Sequence, residues 1–254
     1  MFEFNYEKCL KYKKQFGKNR NFSLIWRNNF APSNKIGNCT NLYRKILPVS
    51  YEDFYKRYIE YAENNKLSPI KDRGLTYDEL ISLASDYKSM CEKTCNCNFN
   101  IECYFYEAVS HIIIETFDGQ YQERVFREYL TKKEYKCECF EGNFDGKYGV
   151  DIKIINNSKI FGLQIKPLTF FLSTRDDVVQ DQKNLCYKYE KLLHDYNIKT
   201  FYAIYVRDKD NNIKWLKNKN GFKFKIEELF DYDPNNIFKT VRMKKFDYTI
   251  EDLI

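Results

Sequence analysis

With 254 residues, 43% apolar content and a net charge of +6, the chain has material for one large domain or two modest ones built on a proper core. No run approaches the ~18 apolar residues of a membrane span, and the opening MFEFNYEKCLKYKK lacks a signal-peptide apolar region, so a cytoplasmic protein is expected. Nine cysteines is an odd number, which argues against a complete disulfide framework and for reduced thiols.

In chain order, the first feature is one of charge. From Lys8 to Tyr51 there is no aspartate or glutamate, while Lys8, Lys11, Lys13, Lys14, Lys18, Arg20, Arg27, Lys35, Arg44 and Lys45 supply ten bases. The rest of the chain therefore carries about −4, the net +6 less these ten. Seven asparagines and several aromatics are interleaved with the bases. A solvated basic face is the ordinary explanation of such a run. Positive charge also answers phosphates, and asparagine pairs with base edges, so nucleic acid is the favoured partner.

Ser50 to Asn64 reads as a helix, with Phe54, Tyr58 and Tyr61 at helical spacing behind a Ser-x-x-Asp start. A second helix is expected from Thr76 to Met90 and a third from Glu102 to Phe117, interrupted by Asp118-Gly119. A fourth follows from Gln120 to Lys132. The period then changes. Tyr135 to Glu141, Tyr148 to Ile155 and Lys159 to Leu168 read as successive strands, joined at Gly142 to Gly146 and at Asn156-Asn157-Ser158 by residues suited to hairpin turns. An amphipathic helix over Arg175 to Tyr196 shows Val178, Leu185, Tyr189, Leu192 and Tyr196 on its apolar side, and Thr200 to Val206 is a compact buried-type strand.

The hairpin carries the chemistry. Side chains alternate across a strand, so Val150, Ile152 and Ile154 are expected on one face with Asp151 on the other. In the next strand Phe161, Leu163 and Ile165 share a face, and Gln164 and Lys166 lie opposite. With the apolar faces packed on helices, Asp151, Gln164 and Lys166 emerge together. A hard cation such as magnesium takes oxygen ligands, here Asp151, the backbone carbonyl of Ile165 and waters. Lys166 is placed to orient the attacking water or to neutralise charge on the phosphoryl oxygens. Taken alone, Asp-x12-Gln-x-Lys is a common pattern, since strands often carry solvated Asp and Lys. The order of elements and the acid-free basic segment favour the site.

On Asp151, Gln164 and Lys166 within helix, three strands, helix and strand, the chain resembles the PD-(D/E)XK nuclease superfamily. The resemblance covers a little over a third of the chain. It implies an α/β (α+β) fold: a restriction-endonuclease-like core over 119–210, a mainly helical basic recognition region over 1–118 and a C-terminal appendage over 211–254. The superfamily's aspartate carries over to Asp151 and its lysine to Lys166. The acid usual two residues before the lysine is Gln164 here, which removes one negative charge and favours a single magnesium. A further acid from the first core helix is implied, and Glu123 matches best, with Glu115 and Glu107 as fallbacks. Gln180, Asp181 and Gln182 fall close to where the site should open. Gly-x-Gln-Ile-Lys-Pro at Gly162 to Pro167, Asn-Lys-Ile-Gly at Asn34 to Gly37 and Pro-Val-Ser-Tyr-Glu-Asp-Phe-Tyr at Pro48 to Tyr55 are similar to the MjaI group of type II restriction endonucleases. That resemblance implies a prokaryotic homodimer cutting double-stranded DNA at a short palindrome such as CTAG. Arg27, Asn28, Asn29, Asn34, Lys35 and Asn38 are then the candidates for reading bases.

Other signals are weaker. Cys91, Cys95, Cys97 and Cys103 form C-x3-C-x-C-x5-C; a structural zinc wants paired C-x2-C knuckles, so incidental thiols in a loop are the better reading. Cys137 and Cys139 alternate along a strand as packing residues. His111 and His194 lie in helical stretches, and no Gly-rich Lys-Ser/Thr loop points to a nucleotide cofactor. A DNA-binding protein without cleavage, and a repair or RNA nuclease of the same superfamily, are the alternatives.

Overall fold

The computed structural model describes residues 2–95, 99–138, 147–156, 158–208, 212–231 and 242–253. They form two compact units, Met1–Tyr121 and Gln122–Ile254, with the boundary inside the helix Glu115–Lys132. The protein is a mixed α/β chain whose N-terminal part is mostly helical.

In the N-terminal unit the local signals act as written. Ser50 caps the helix Tyr51–Asn64, accepting from the Asp53 N–H at 3.1 Å. Its buried stripe is Phe54, Tyr58 and Ala62. The helix Tyr77–Cys95 runs five residues past the expected end, so Cys91 and Cys95 are helical, not in a loop. The interruption expected at Asp118-Gly119 is absent. Ile101–Val109 passes through a π-helical turn, Ser110–Ile114, directly into Glu115–Lys132. Asp118 accepts from the Tyr51 hydroxyl at 2.6 Å, and Phe117 and Phe126 are buried before and after the glycine. Packing on both sides outweighs the ~1 kcal/mol that a helical glycine costs.

The second unit is built on a mixed sheet. Its strands are β1 (Lys136–Glu138), β2 (Ile152–Asn156), β3 (Lys159–Pro167), β4 (Lys199–Arg207), β5 (Ile213–Lys217) and β6 (Phe224–Lys225). Strands β7 (Phe230–Asp231) and β8 (Arg242–Met243) pair separately, and β9 (Thr249–Glu251) completes the set. The sheet order is β1-β2-β3-β4-β5-β9, with β6 also on β4. β1, β2 and β3 form an antiparallel meander; β3 and β4 are parallel, from Phe161 beside Lys199 to Pro167 beside Tyr205. A parallel pair needs a long crossover, and the helix Asp176–Tyr196 supplies it. Of the described residues in the part expected as an appendage, 211–254, strands β5, β6 and β9 belong to this sheet.

Both faces of the sheet are covered. Ile152, Ile154, Leu163, Ile165, Ala203 and Trp215 pack with Phe126 and Leu130 of the helix Glu115–Lys132. On the other face Tyr202 and Ile204 pack with Cys186, Tyr189 and Leu192 of the crossover helix. The buried stripe of that helix is Gln182, Cys186, Tyr189 and Leu192, whereas Tyr196 is half exposed. Gln182 is held by its amide nitrogen on the Phe170 carbonyl at 2.6 Å. No helix among the described residues is long and apolar enough to cross a membrane.

Candidate functional site

Asp151 lies at a bend just ahead of β2, and the cause is Gly149. Its φ of +65° is left-handed, a conformation that side-chain-bearing residues resist. The strand expected from Tyr148 therefore begins only at Ile152. Val150 falls into the cluster beneath the crossover helix while Ile152 packs on the opposite side, so these residues do not share a face. The bend brings the Asp151 carboxylate over β3, while its own N–H still donates to the Leu163 carbonyl at 2.9 Å.

One carboxylate oxygen, Oδ2, accepts from the Ile165 N–H at 2.7 Å and from the Gln164 side-chain nitrogen Nε2. Register explains the meeting: Ile152 is opposite Leu163, so Asp151 comes level with Gln164. Leu163 and Ile165 point into the cluster with Phe126, which turns Gln164 to the crossover helix. Gln164 thus lies on the expected side, opposite Leu163 and Ile165, but that side is roofed and Gln164 is only 3% exposed. Asp151 and Lys166 are half-buried, at the edges of the roofed patch.

Tyr189 completes the arrangement. Its hydroxyl lies 3.1 Å from the Gly149 carbonyl and 3.3 Å from Gln164 Oε1. Burial, with nearby Tyr202 and Asp151 adding to it, pushes the phenol well above its ordinary range, so it stays a protonated donor. Sequence reading had placed Tyr189 only as one member of an apolar stripe. The signal that it is more than this is its phenol, which when buried needs a polar partner.

Lys166, on the same face of β3 as Gln164, reaches to 5.5 Å from the centre of the Phe170 ring. It stands at the carboxyl end of β3, beside parallel β4, the end where ligands bind in open sheets. Glu123 is half-buried on the helix Glu115–Lys132, one position from the fully buried Gln122, and the hydrogen bonds of Asp151 and Gln164 given above do not involve it. Of the fallbacks, Glu107 and Glu115 belong to the N-terminal unit, where both hold His111, at 3.0 and 3.1 Å.

The recognition candidates divide by what their side chains already do. Asn38 caps the helix Cys39–Ile46, accepting from the Asn41 N–H at 3.1 Å, and Asn29 donates to the Ile25 carbonyl at 2.9 Å. Asn19, in the same basic run, caps Arg20–Asn29. Part of the asparagine richness is thus helix capping. Arg27, Asn28, Asn34 and Lys35 are exposed. Part of the run's charge is also answered at home, by Lys8 on Glu102 at 2.6 Å and Lys13 on Glu115 at 3.0 Å.

Seven cysteines are described, and none of them is in a disulfide: Cys9, Cys39, Cys91, Cys95, Cys103, Cys137 and Cys186. Cys97 and Cys139 lie outside the described residues, as does the expected turn over 142–146. Among the described residues, no three His, Cys, Asp or Glu side chains come together as a metal-binding group. No protein family, no curated protein and no solved structure matches this chain.

Proposed function

We propose that the protein is a magnesium-dependent type II restriction endonuclease of the PD-(D/E)XK kind, hydrolysing phosphodiester bonds of double-stranded DNA at a short palindrome as a homodimer. The observation that supports it most is the meeting of Asp151 with Gln164 and Ile165, with Lys166 two residues on, in a meander followed by a helical crossover to a parallel strand.

The donor set suits one hard cation: the Asp151 carboxylate, the Gln164 amide oxygen and the Ile165 carbonyl. As the amide stands, its nitrogen faces Asp151 and its oxygen faces Tyr189. A hydroxyl both donates and accepts, so Tyr189 partners the amide either way round. With the amide turned over, Gln164 Nε2 donates to the Tyr189 oxygen, and the Tyr189 proton goes to the Gly149 carbonyl 3.1 Å away. The oxygen of Gln164 then faces Asp151, as a cation requires. Magnesium held there would polarise the phosphodiester and acidify a water. Lys166 neutralises charge developing on the phosphoryl oxygens, or orients the water, and the Phe170 ring keeps its ammonium near that position.

A DNA-binding protein without cleavage is the second reading, favoured by the single carboxylate and the neutral Gln164. Incubating the purified protein with plasmid and magnesium, then sequencing fragment ends, tests both. Discrete bands with a common terminal sequence are expected. Lys166→Ala should lower cleavage by about 100-fold or more while duplex binding persists. An intact plasmid, or a smear unchanged by Lys166→Ala, refutes the endonuclease.

A further inference from the structure

We infer that the cleft between Lys166 and the crossover helix binds the phosphate backbone of duplex DNA, next to the phosphate that reacts. The inference rests on the reading of Lys166 as a phosphate-facing group. It adds a second contact surface to the basic N-terminal segment, on the unit that carries Asp151.

The cleft is about 470 Å³ in volume and is lined by Lys147, Lys166, Lys188 and Lys191, with Asp181 and Asn184. Four ammonium groups against one carboxylate give its wall a clear positive sign. Asp181, Asn184, Lys188 and Lys191 follow each other at intervals of three and four residues and so share one face of the helix. From Asp181 to Lys191 that face extends about 15 Å, several times the ~3.4 Å advance per nucleotide of a B-form strand. A single phosphate ion would fill only part of it; a backbone matches its length. Tyr187, 50% exposed at the same cleft, and Phe170 beneath Lys166 add aromatic surface for sugars or bases. Lys166, Lys188 and Lys191 line the same cleft, so a strand whose reacting phosphate meets Lys166 can set neighbouring phosphates before Lys188 and Lys191.

The test is fluorescence anisotropy of a short fluorescein-labelled duplex in EDTA, where no cleavage occurs, across a salt series. Lys188→Ala with Lys191→Ala should lower the slope of log affinity against log salt by about 1.8, at about 0.9 per lost phosphate contact. Over a tenfold span of salt that is about a 60-fold loss of affinity at the low-salt end. Replacing both lysines by glutamine keeps the first part of their apolar stems and a polar end without the charge, and should give the same loss, which separates charge from packing. Lys159→Ala with Lys199→Ala removes two exposed charges at the opposite end of β3 and should leave the slope unchanged. An unchanged slope in the first pair, an equal loss in the control pair, or no duplex binding by the unmodified protein overturns the inference. So does a loss confined to phosphatidylserine vesicles, which would mark a membrane-facing patch. The two readings fail separately. Duplex binding that needs Lys188 and Lys191 without magnesium-dependent cleavage keeps the cleft and removes the nuclease. Cleavage with unchanged KM in the double variant keeps the nuclease and removes the cleft.

Discussion

Tyr189→Phe removes one oxygen and keeps the ring, so it isolates the polar work done beneath the crossover helix. Tyr189 is 5% exposed and Gln164 3% exposed, so water does not readily replace the lost hydroxyl. Two acceptors are affected, the Gly149 carbonyl at 3.1 Å and Gln164 Oε1 at 3.3 Å. The hydroxyl lies within hydrogen-bond reach of both, so the substitution takes a partner from each. With about 1–3 kcal/mol for a buried acceptor left unsatisfied, the expected loss is about 2 kcal/mol. For a chain of this size that lowers the melting temperature by about 4–8 °C. Urea unfolding followed by circular dichroism gives the free energy, and an unchanged m-value would show that the denatured state is unaffected. The same substitution in a Gln164→Leu background should cost about 1 kcal/mol less, since one of the two acceptors is already gone. A loss below about 0.5 kcal/mol, or an identical loss in both backgrounds, would falsify the claim that Tyr189 holds the amide.

Two further outcomes follow from geometry outside that hydroxyl. Gly149→Ala should destabilise by about 1–2 kcal/mol, chiefly from the left-handed backbone, since the added carbon meets only the movable end of Leu185, Cδ2 at 2.8 Å; a urea midpoint within error of the unmodified protein refutes this. In the N-terminal unit, burial opposes the charge of His111, but Glu107 and Glu115 outweigh it and raise its pKa to about 9, with Trp26 stacked 4.7 Å away. A raised pKa means stability fully present below about pH 6.5 and lost as pH rises through about 9, on the order of 3 kcal/mol. Proton NMR of the imidazole ring protons should show His111 titrating near 9, and a His111 midpoint below 7 refutes the buried ion pair.

Periodicity made much of the architecture legible in the sequence. Helical spacing located Tyr51–Asn64 and Asp176–Tyr196 to within a residue, and the change of period after Lys132 located the meander. Parity along β3 correctly placed Gln164 and Lys166 opposite Leu163 and Ile165. These are local properties, set by which neighbours a side chain has three, four or two residues away. Tertiary structure decided the rest. Asp118-Gly119 reads as a break, yet the helix continues because partners distant in sequence, Tyr51 among them, bind it. Val150 changed face because Gly149 turns left-handed, and two bases of the acid-free segment, Lys8 and Lys13, find their carboxylates about a hundred residues away, in Glu102 and Glu115. Strands β5, β6 and β9 show no obvious pattern alone, since they are defined by pairing with β4 or with one another. Most helices, the alternation along β3 and the placing of charge are legible in the order of residues alone. That Gln164 is roofed by Tyr189 and that lysines from separate elements line one cleft is not, because burial and long-range charge depend on contacts that no window of neighbouring residues contains.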